Sequence, residues 1–361
     1  MARIYNFCAG PAALPPPVLE KARDELLDFQ GSGMSIMEMS HRGKIYDAVI
    51  KAAEANVRKL MGVSDDYAVL FLPGGASQQF ALIPMNFRPA GASADYVDTG
   101  AWAGKAIKEA AVAGGQVNIP WTGKAERYAR APDPAEIVGC DPKAAYVHIC
   151  ANETIEGVRW AKLPRTAAPL VADMSSEIMS RAIDVNDFAM IYAGAQKNLG
   201  PSGLALVILR KDFAERCPDA VPVYFRYKTH IPEPSLYNTP NTWAIYLLKL
   251  VTDLLVGLGG VEAIEAVNER KARKLYDALD ADAFWQPFAH KASRSTMNVT
   301  WRLAAGELEA AFLLEAQKAG FDGLKGHRSV GGIRASIYNA FPEKGVDDLI
   351  LFMNDFKKRR G

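Results

Sequence analysis

Short apolar runs alternate with longer amphipathic segments through the first two thirds of the chain. The runs are rich in β-branched residues and end at Gly, Pro or polar positions, which is typical of buried strands. We predict strands at residues 67–72, 95–97, 144–150, 170–172, 189–193 and 204–209, and helices between them at 44–61, 78–86 and 102–113. The first of these helices ends at Gly62, a common C-terminal signal. This alternation predicts an α/β fold whose large domain has a mostly parallel sheet covered by helices on both faces.

The pattern changes after Cys217. Residues 217–242 contain five prolines and show no clear periodicity, so we predict a structureless binding loop or an interface arm there. Long helical patterns follow at 243–257 and 261–279, and the remaining chain mixes strands with helices. These are strands at 297–301 and 332–337 and helices at 307–319 and 346–356. We therefore expect two domains: a large cofactor-binding domain over residues 16–260, and a small α+β domain made of residues 1–15 and 261–361.

Composition and charge narrow the class of protein. The chain has 361 residues, of which 49% are hydrophobic and 23% charged, as in ordinary globular proteins. Its 42 basic residues nearly balance 41 acidic ones, so nucleic acid is not an expected partner. Four cysteines without a C-x-x-C pair predict reduced thiols, with neither disulfides nor a metal site. We expect no signal peptide, because Asn6 interrupts the N-terminus, and no membrane span, because Lys249 and Asp253 interrupt the most apolar stretch. The expected location is the cytoplasm.

The strongest chemical signal is an acid and a lysine at the ends of two successive predicted strands. Asp173 follows the strand at 170–172, and Lys197 follows the strand at 189–193 after three residues that include Gly194 and Ala195. Such small residues let a flat ring approach the backbone closely. A lysine bound covalently to pyridoxal 5'-phosphate needs an acid opposite the ring nitrogen. We therefore predict this cofactor, with Lys197 and Asp173 as catalytic residues; taken singly, either could be a turn cap or an exposed charge.

Three further segments could complete a cofactor site. A paired-glycine turn leads from a predicted strand into a helix at Ala76 and Ser77, where free N–H groups and the helix dipole suit a phosphate. It matches neither the Walker nor the dinucleotide pattern, so a plain tight turn is the alternative. Trp102 could stack on a flat ring, and Thr154 could bond the ring's phenolic oxygen. Core packing of Trp102 and capping by Thr154 are the alternatives.

Two His-Arg pairs suggest what is bound. They are His41-Arg42 and His327-Arg328, and Arg334 follows the second pair. Arginine is suited to a two-pronged grip on carboxylate or phosphate. Convergence of these cations on one pocket would fit a substrate with two anionic ends. Each arginine alone is more often a solvated surface charge or part of a structural ion pair, so the interpretation depends on their convergence.

Together these segments resemble the phosphoserine aminotransferase family, within the class V aminotransferases of fold type I. The resemblance covers essentially the whole chain. The segments that carry it are residues 6–12, 37–43, 152–157, 192–198, 237–240 and 326–336. The last is the most specific, because it separates this family from other class V members.

The resemblance implies a homodimer with shared active sites and the cofactor roles given above. It adds Gln196 as a ligand of the cofactor phosphate beside Ala76 and Ser77. It also implies that Asn238 and Thr239 reach the same phosphate from the neighbouring subunit. Some family members have an arginine at the position of Ser77, and its absence here predicts altered contacts to the substrate phosphate.

The resemblance also implies the substrate contacts. Arg334 would bind the substrate α-carboxylate. His41, Arg42, His327 and Arg328 would bind the substrate phosphate or the side-chain carboxylate of glutamate, the later pair across the dimer interface.

The implied reaction is reversible transamination of 3-phosphonooxypyruvate with L-glutamate, giving O-phospho-L-serine and 2-oxoglutarate in serine biosynthesis. The family is also implicated in pyridoxine biosynthesis. The alternative is a class V aminotransferase for a small neutral amino acid, such as alanine or serine with glyoxylate or pyruvate. A protein that binds the cofactor without catalysis is a more remote alternative.

Overall fold

The computed structural model describes residues 3–361. The strands, numbered in chain order, are β1 (Tyr5–Asn6), β2 (Tyr67–Pro73), β3 (Ser93–Asp98), β4 (Gln116–Thr122), β5 (Val147–Cys150), β6 (Asn152–Glu153), β7 (Val158–Arg159), β8 (Leu170–Asp173), β9 (Met190–Gly194), β10 (Leu204–Arg210), β11 (Trp285–Pro287), β12 (Asn298–Leu303), β13 (Phe321–Asp322) and β14 (Ile333–Ser336). The α-helices are α1 (Pro16–Asp24), α2 (Lys44–Met61), α3 (Ala76–Phe87), α4 (Ala101–Val112), α5 (Lys211–Ala214), α6 (Tyr227–His230), α7 (Thr242–Gly257), α8 (Gly260–Asp280), α9 (Glu309–Lys318) and α10 (Glu343–Arg360).

The central sheet has seven strands in the order β2-β10-β9-β8-β5-β3-β4. Strand β10 pairs antiparallel with both β2 and β9, whereas the other pairs in this sheet are parallel. Six strands therefore run in one direction and end at one edge. The predicted mostly parallel sheet is confirmed, and so are its six predicted strands, with boundaries shifted by up to three residues. Strand β4 was not predicted.

Helices cover both faces of this sheet because its strands are buried on both sides. Alternate residues of β2 point to opposite faces of the sheet and pack with different helices. Val69 and Phe71 belong to one hydrophobic cluster with Val49 of α2. Leu70 belongs to another with Phe80 of α3. Full burial of each such side chain contributes roughly 1.5–3 kcal/mol, so two-sided packing holds the strand ends at fixed positions.

The C-terminal part of the chain has its own hydrophobic cluster. The three-stranded antiparallel sheet β11-β12-β14 packs there with α8, α9 and α10, and Phe7 from the N-terminus joins it. Helix α8 links this cluster to the central sheet, because Ile264 packs with the sheet helices and Leu275 with the C-terminal cluster. The two-domain division at residues 16–260 and 261–361 stays a prediction, which this separate cluster supports.

The proline-rich segment at 217–242 is not structureless as predicted. It contains a 3-10 turn at Val223–Phe225 and the short helix α6. Asn86 of α3 fixes these two elements. Its side-chain Nδ2 donates to Phe225 O at 2.8 Å, and its Oδ1 accepts from Tyr227 N at 3.0 Å. The prediction is wrong for residues 223–230, whereas residues 217–222 and 231–241 form neither helix nor strand.

All four cysteines are free thiols. Within residues 3–361, no single helix is long and apolar enough to cross a membrane; α7 and α8 meet the length and composition test only as a pair bent by 85°.

Candidate active site

The carboxyl ends of five parallel strands bring the predicted cofactor residues to one edge of the sheet. Strand β2 leads to Ala76, β3 to Trp102, β5 to Thr154, β8 to Asp173 and β9 to Lys197. This edge is where ligands bind in open α/β sheets. The chain topology therefore assembles residues that lie as far apart as 76 and 197.

Lys197 lies between Thr154 and Trp102. Its Nζ donates a hydrogen bond to Thr154 Oγ1 at 2.6 Å and lies 5.1 Å from the centroid of the Trp102 ring. Thr154 is almost fully buried, whereas Lys197 and Trp102 are half-buried and keep access to the site. The amine is thus held in one orientation beside an aromatic face.

Asp173 is held on the strand next to the lysine strand. It is buried, and Oδ1 accepts two hydrogen bonds from Ser175, from Oγ at 2.6 Å and from the backbone N at 2.9 Å. Ser175 Oγ in turn accepts from Gly194 N at 2.9 Å, which ties Asp173 to the end of β9. Because both bonds end on Oδ1, Oδ2 is left to face a ligand.

Burial and mutual attraction set the charges of this pair. Burial lowers the pKa of Lys197, and the nearby Asp173 carboxylate opposes that shift. Burial raises the pKa of Asp173, opposed by Lys197 and by the Ser175 hydrogen bonds. A lysine with a lowered pKa is more often neutral, which is the form that attacks a carbonyl or accepts a proton.

Arg334 brings a cation to the same place from the C-terminal sheet. It lies on β14, paired with Thr300 of β12, and Nη1 donates to Thr154 O at 3.5 Å. Its Nε is buried without a hydrogen-bond partner. Burial lowers the pKa of this arginine, but a guanidinium stays protonated in proteins. Arg334 is therefore a charged donor with unused hydrogen-bonding capacity beside Lys197.

The predicted phosphate turn has the expected shape. Gly74 has a φ of +93°, a left-handed conformation that favours glycine, and α3 begins after Gly75 without a side-chain cap. Its first N–H groups, at Ala76 and Ser77, are thus left for an anion. Gln196, next to Lys197, has a buried Oε1 without a partner.

His327 lies close to three positively charged side chains, one of which is Arg334. Its Nδ1 lies 2.7 Å from Ser329 Oγ. Its pKa is lowered by burial and by the positive charges of Arg334, Lys105 and Arg328. Three cations close enough to act on one imidazole favour a bound anion.

The other predicted residues are not joined to this group within the single chain. Arg42 and Thr239 are exposed, and Asn238 bonds only to Thr239 O at 3.1 Å. His41 has a buried Nε2 without a partner. None of the hydrogen bonds or ion pairs of residues 3–361 connects these four to Lys197, so their roles stay predictions.

Two buried acids were missed as functional residues. Glu153 and Glu156 follow β5, and both accept hydrogen bonds from the start of α4, where Trp102 lies. Ser175 was missed as well. Glu153 stands next to Thr154 in the sequence, but no hydrophobic periodicity indicated that its side chain is buried.

The chemistry of these groups fits pyridoxal phosphate. A lysine with a lowered pKa, an opposing acid, a threonine hydroxyl, an aromatic face and an uncapped helix start meet at one edge. Both hydrogen bonds to Asp173 end on Oδ1, so Oδ2 could accept one from the protonated ring nitrogen of the cofactor.

Comparison with known proteins gives the same assignment. The family model "Aminotransferase class-V" matches residues 4–349. The chain is 53% identical over 360 residues to the phosphoserine aminotransferase of Geobacillus kaustophilus, covering 99% of both chains. It is 50% identical to that of Marinomonas sp., covering all of both.

Solved structures agree with the sequence matches. The phosphoserine aminotransferase from Bacillus circulans subsp. alkalophilus superposes with a TM-score of 0.97 at 49% identity, over 99% of both chains. The cofactor-bound enzyme from Trichomonas vaginalis gives 0.92 at 37% identity, over 98% of this chain and 100% of that one. An alanine–glyoxylate aminotransferase from Nostoc sp. gives 0.79 at 15% identity, over 98% of this chain and 95% of that one, which shows a shared fold alone.

The chain therefore belongs to the phosphoserine aminotransferases, a family of class V aminotransferases that depend on pyridoxal phosphate.

Proposed function

We propose that this enzyme transfers the amino group reversibly between L-glutamate and 3-phosphonooxypyruvate, giving O-phospho-L-serine and 2-oxoglutarate. The observation that carries the proposal is the buried guanidinium of Arg334 beside Lys197 and Thr154. Both amino-acid substrates have an α-carboxylate and a second anionic group. A site with one buried guanidinium and further cations beyond it matches both ends.

Pyridoxal phosphate supplies, when bound, an electron sink for the charge left when a substrate loses its Cα proton. Lys197 would hold the cofactor covalently, and its amine would be the general base that moves this proton. Burial, which lowers the pKa of Lys197, favours the neutral amine, and Thr154 Oγ1 accepts a hydrogen bond from it.

Asp173 would keep the ring nitrogen protonated. Its carboxylate is fixed by two bonds from Ser175, so little reorganisation is needed when the charge develops. Trp102 would stack on the ring, and Thr154 would bond its phenolic oxygen.

The cofactor phosphate would lie at the start of α3. Ala76 and Ser77 offer backbone N–H groups there, Ser77 adds a hydroxyl, and Gln196 lies beside Lys197. Asn238 and Thr239 would reach this phosphate from a second subunit. We therefore also propose a homodimer with shared active sites, supported by the exposure of Thr239 and the partial exposure of Asn238 in the single chain.

The substrate would be held at both ends. Arg334 would bind the α-carboxylate, and His41, Arg42, His327 and Arg328 would bind the phosphate or the distal carboxylate. The role in pyridoxine biosynthesis stays a prediction from the family.

The test is a titration of the holoenzyme with O-phospho-L-serine, L-glutamate, L-serine and L-alanine in turn, followed by the visible absorbance of the bound cofactor. We expect phosphoserine and glutamate to convert the band at low concentration, and serine and alanine to leave it largely unchanged. Conversion by alanine or serine as readily as by phosphoserine would instead identify an aminotransferase for neutral amino acids.

A further inference from the structure

Helix α4, which carries Trp102, is capped by a residue from a distant part of the chain. Gly100 at its start offers no side-chain cap. Glu153 takes that place: Oε2 accepts from Trp102 N at 2.9 Å, and Oε1 accepts from Ala103 N at 3.0 Å and from Thr99 Oγ1 at 3.2 Å. One carboxylate thus satisfies two of the N–H groups that every helix start leaves free.

Glu156 completes this cap. Its Oε1 accepts from Ala101 N at 3.1 Å, and its Oε2 is buried without a partner. Glu153 is fully buried and Glu156 is 4% exposed. Burial raises the pKa of both carboxyl groups, and repulsion from Glu153 raises that of Glu156 further. Glu153 accepts from three donors and faces the positive end of the helix dipole, and both stabilise its charged form.

Gly100 shows how tightly Glu153 is packed. Its φ of 164° is an extended conformation that any residue adopts, so backbone freedom does not require glycine here. A Cβ at this position would instead lie 2.7 Å from the Glu153 carboxyl carbon. Glycine at position 100 leaves the space that the carboxylate fills.

The same short segment also holds the lysine. Thr154, directly after Glu153, accepts from Lys197 Nζ. The Trp102 ring is 5.1 Å from that Nζ, and its own Nε1 is buried without a partner. The indole has no hydrogen bond of its own; it packs against the hydrophobic cluster that includes Phe80, with Lys105 Nζ 4.0 Å from its centroid, and its backbone is the part that Glu153 bonds.

We propose that Glu153 is a positioning residue that holds the Trp102 ring in its stacking position by bonding the first turn of α4, and that Glu156 supports it by bonding Ala101. The proposal rests on the proposed stacking role of Trp102. Glutamine at position 153 would place an NH₂ group against a backbone N–H, which would loosen the first turn of the helix and the indole with it.

The test is a double-mutant cycle on cofactor affinity. The dissociation constant of pyridoxal phosphate is measured by titrating it into apoenzyme and following tryptophan fluorescence and visible circular dichroism. We expect Glu153→Gln to raise this constant about tenfold, which corresponds to roughly 1.4 kcal/mol. Trp102→Ala should raise it at least as much. In the Trp102→Ala background, Glu153→Gln should have no further effect, because Glu153 acts through that ring.

Gly100→Ala provides an independent route to the same effect, because its methyl group displaces Glu153 without changing it. The melting temperature of every variant is measured, and Gly100→Ala replaces Glu153→Gln in the cycle if the latter does not fold. Glu25→Gln is the matched control, since Glu25 is 6% exposed and accepts from Tyr246 OH in another part of the protein. It should leave the cofactor affinity unchanged.

The outcomes separate the two proposals. Equal effects of Glu153→Gln in both backgrounds, or an affinity within twofold of wild type, would overturn the positioning role alone. Unchanged affinity in Trp102→Ala would overturn the stacking role of Trp102, and the positioning role with it.

Discussion

The two ends of the proposed active site are built differently. The cofactor end, made of Lys197, Asp173 and Thr154, lies on buried strand ends and is fixed by hydrogen bonds of 2.6–2.9 Å. The anion end, made of the pairs His41-Arg42 and His327-Arg328, lies outside the regular strands and helices, and both arginines are exposed. The difference suggests that the fold sets the reaction class, whereas loops set the choice of substrate.

Arg334 is held as firmly as the cofactor end, although its proposed partner is the substrate. It lies on β14, and the loop that follows is fixed by the buried Lys271, whose Nζ donates to Ile337 O, Tyr338 O and Phe341 O at 2.7–3.1 Å. An arginine held in this way suits the α-carboxylate, which all amino-acid substrates share. Exposed arginines suit the end at which substrates differ.

The largest effect is expected at the cofactor end. Lys197→Ala removes the proposed general base and the covalent anchor, so transamination should fall by about 10⁴-fold or more. The measurement is the rate of cofactor conversion in a single turnover with O-phospho-L-serine. Lys51→Ala, at an exposed lysine paired with Asp47, is the control and should keep wild-type rates. A Lys197→Ala enzyme within tenfold of wild type would contradict its role.

Asp173→Asn should be the next most harmful change. A neutral amide cannot keep the ring nitrogen protonated, so kcat should fall by about 10²- to 10³-fold.

Ser175→Ala tests the same carboxylate with a milder change. Loss of its hydroxyl removes a hydrogen bond that lowers the pKa of Asp173, so that pKa should rise and the acid limb of the pH–rate profile should move to higher pH. An acid limb that moves to lower pH, or not at all, would show that Asp173 does not act as a carboxylate.

Arg334→Lys tests the proposed bidentate binding of the α-carboxylate, which both amino-acid substrates have. Lysine keeps the charge but loses the two-pronged geometry, so KM should rise by about 10- to 100-fold. The rise should be similar for L-glutamate and O-phospho-L-serine, because both have the α-carboxylate. Steady-state kinetics with each substrate measures it. A rise confined to one substrate would place Arg334 at the anion end instead.

Arg328→Ala should have the smallest and most selective effect. This exposed arginine contributes a solvent-screened contact, so kcat/KM for O-phospho-L-serine should fall by about tenfold. The slow reaction of L-serine, which has no phosphate, should not change. Lys325→Ala, an exposed cation in the same loop, is the matched control. Equal losses of kcat/KM for both substrates would show that Arg328 does not contact the substrate phosphate.

Much of the cofactor end could be predicted from the sequence. Strands buried on both faces read as continuous apolar runs, so their ends marked Asp173 and Lys197 directly. Strand β4 was missed because its residues are exposed or half-buried and include polar ones, such as Asn118 and Thr122. The order at 217–242 was missed because it depends on Asn86, which lies more than 130 residues earlier in the chain.

Buried charges were the hardest to predict. Lys271 stands in a charged run, yet it is fully buried by the same helix face that buries Leu275. Glu153 lies on a two-residue strand, too short for any period. Both are satisfied by partners that only the tertiary structure supplies, so local pattern could not reveal them.

The most direct test of the proposed function is the ratio of kcat/KM for O-phospho-L-serine to that for L-serine, with 2-oxoglutarate as amino acceptor. The two differ only in the phosphate, so the ratio isolates the anion end. If the cations bind that phosphate, the ratio should be at least about 10², the equivalent of one or two charged hydrogen bonds. A ratio near one would contradict the proposed substrate while leaving the aminotransferase chemistry at Lys197 in place.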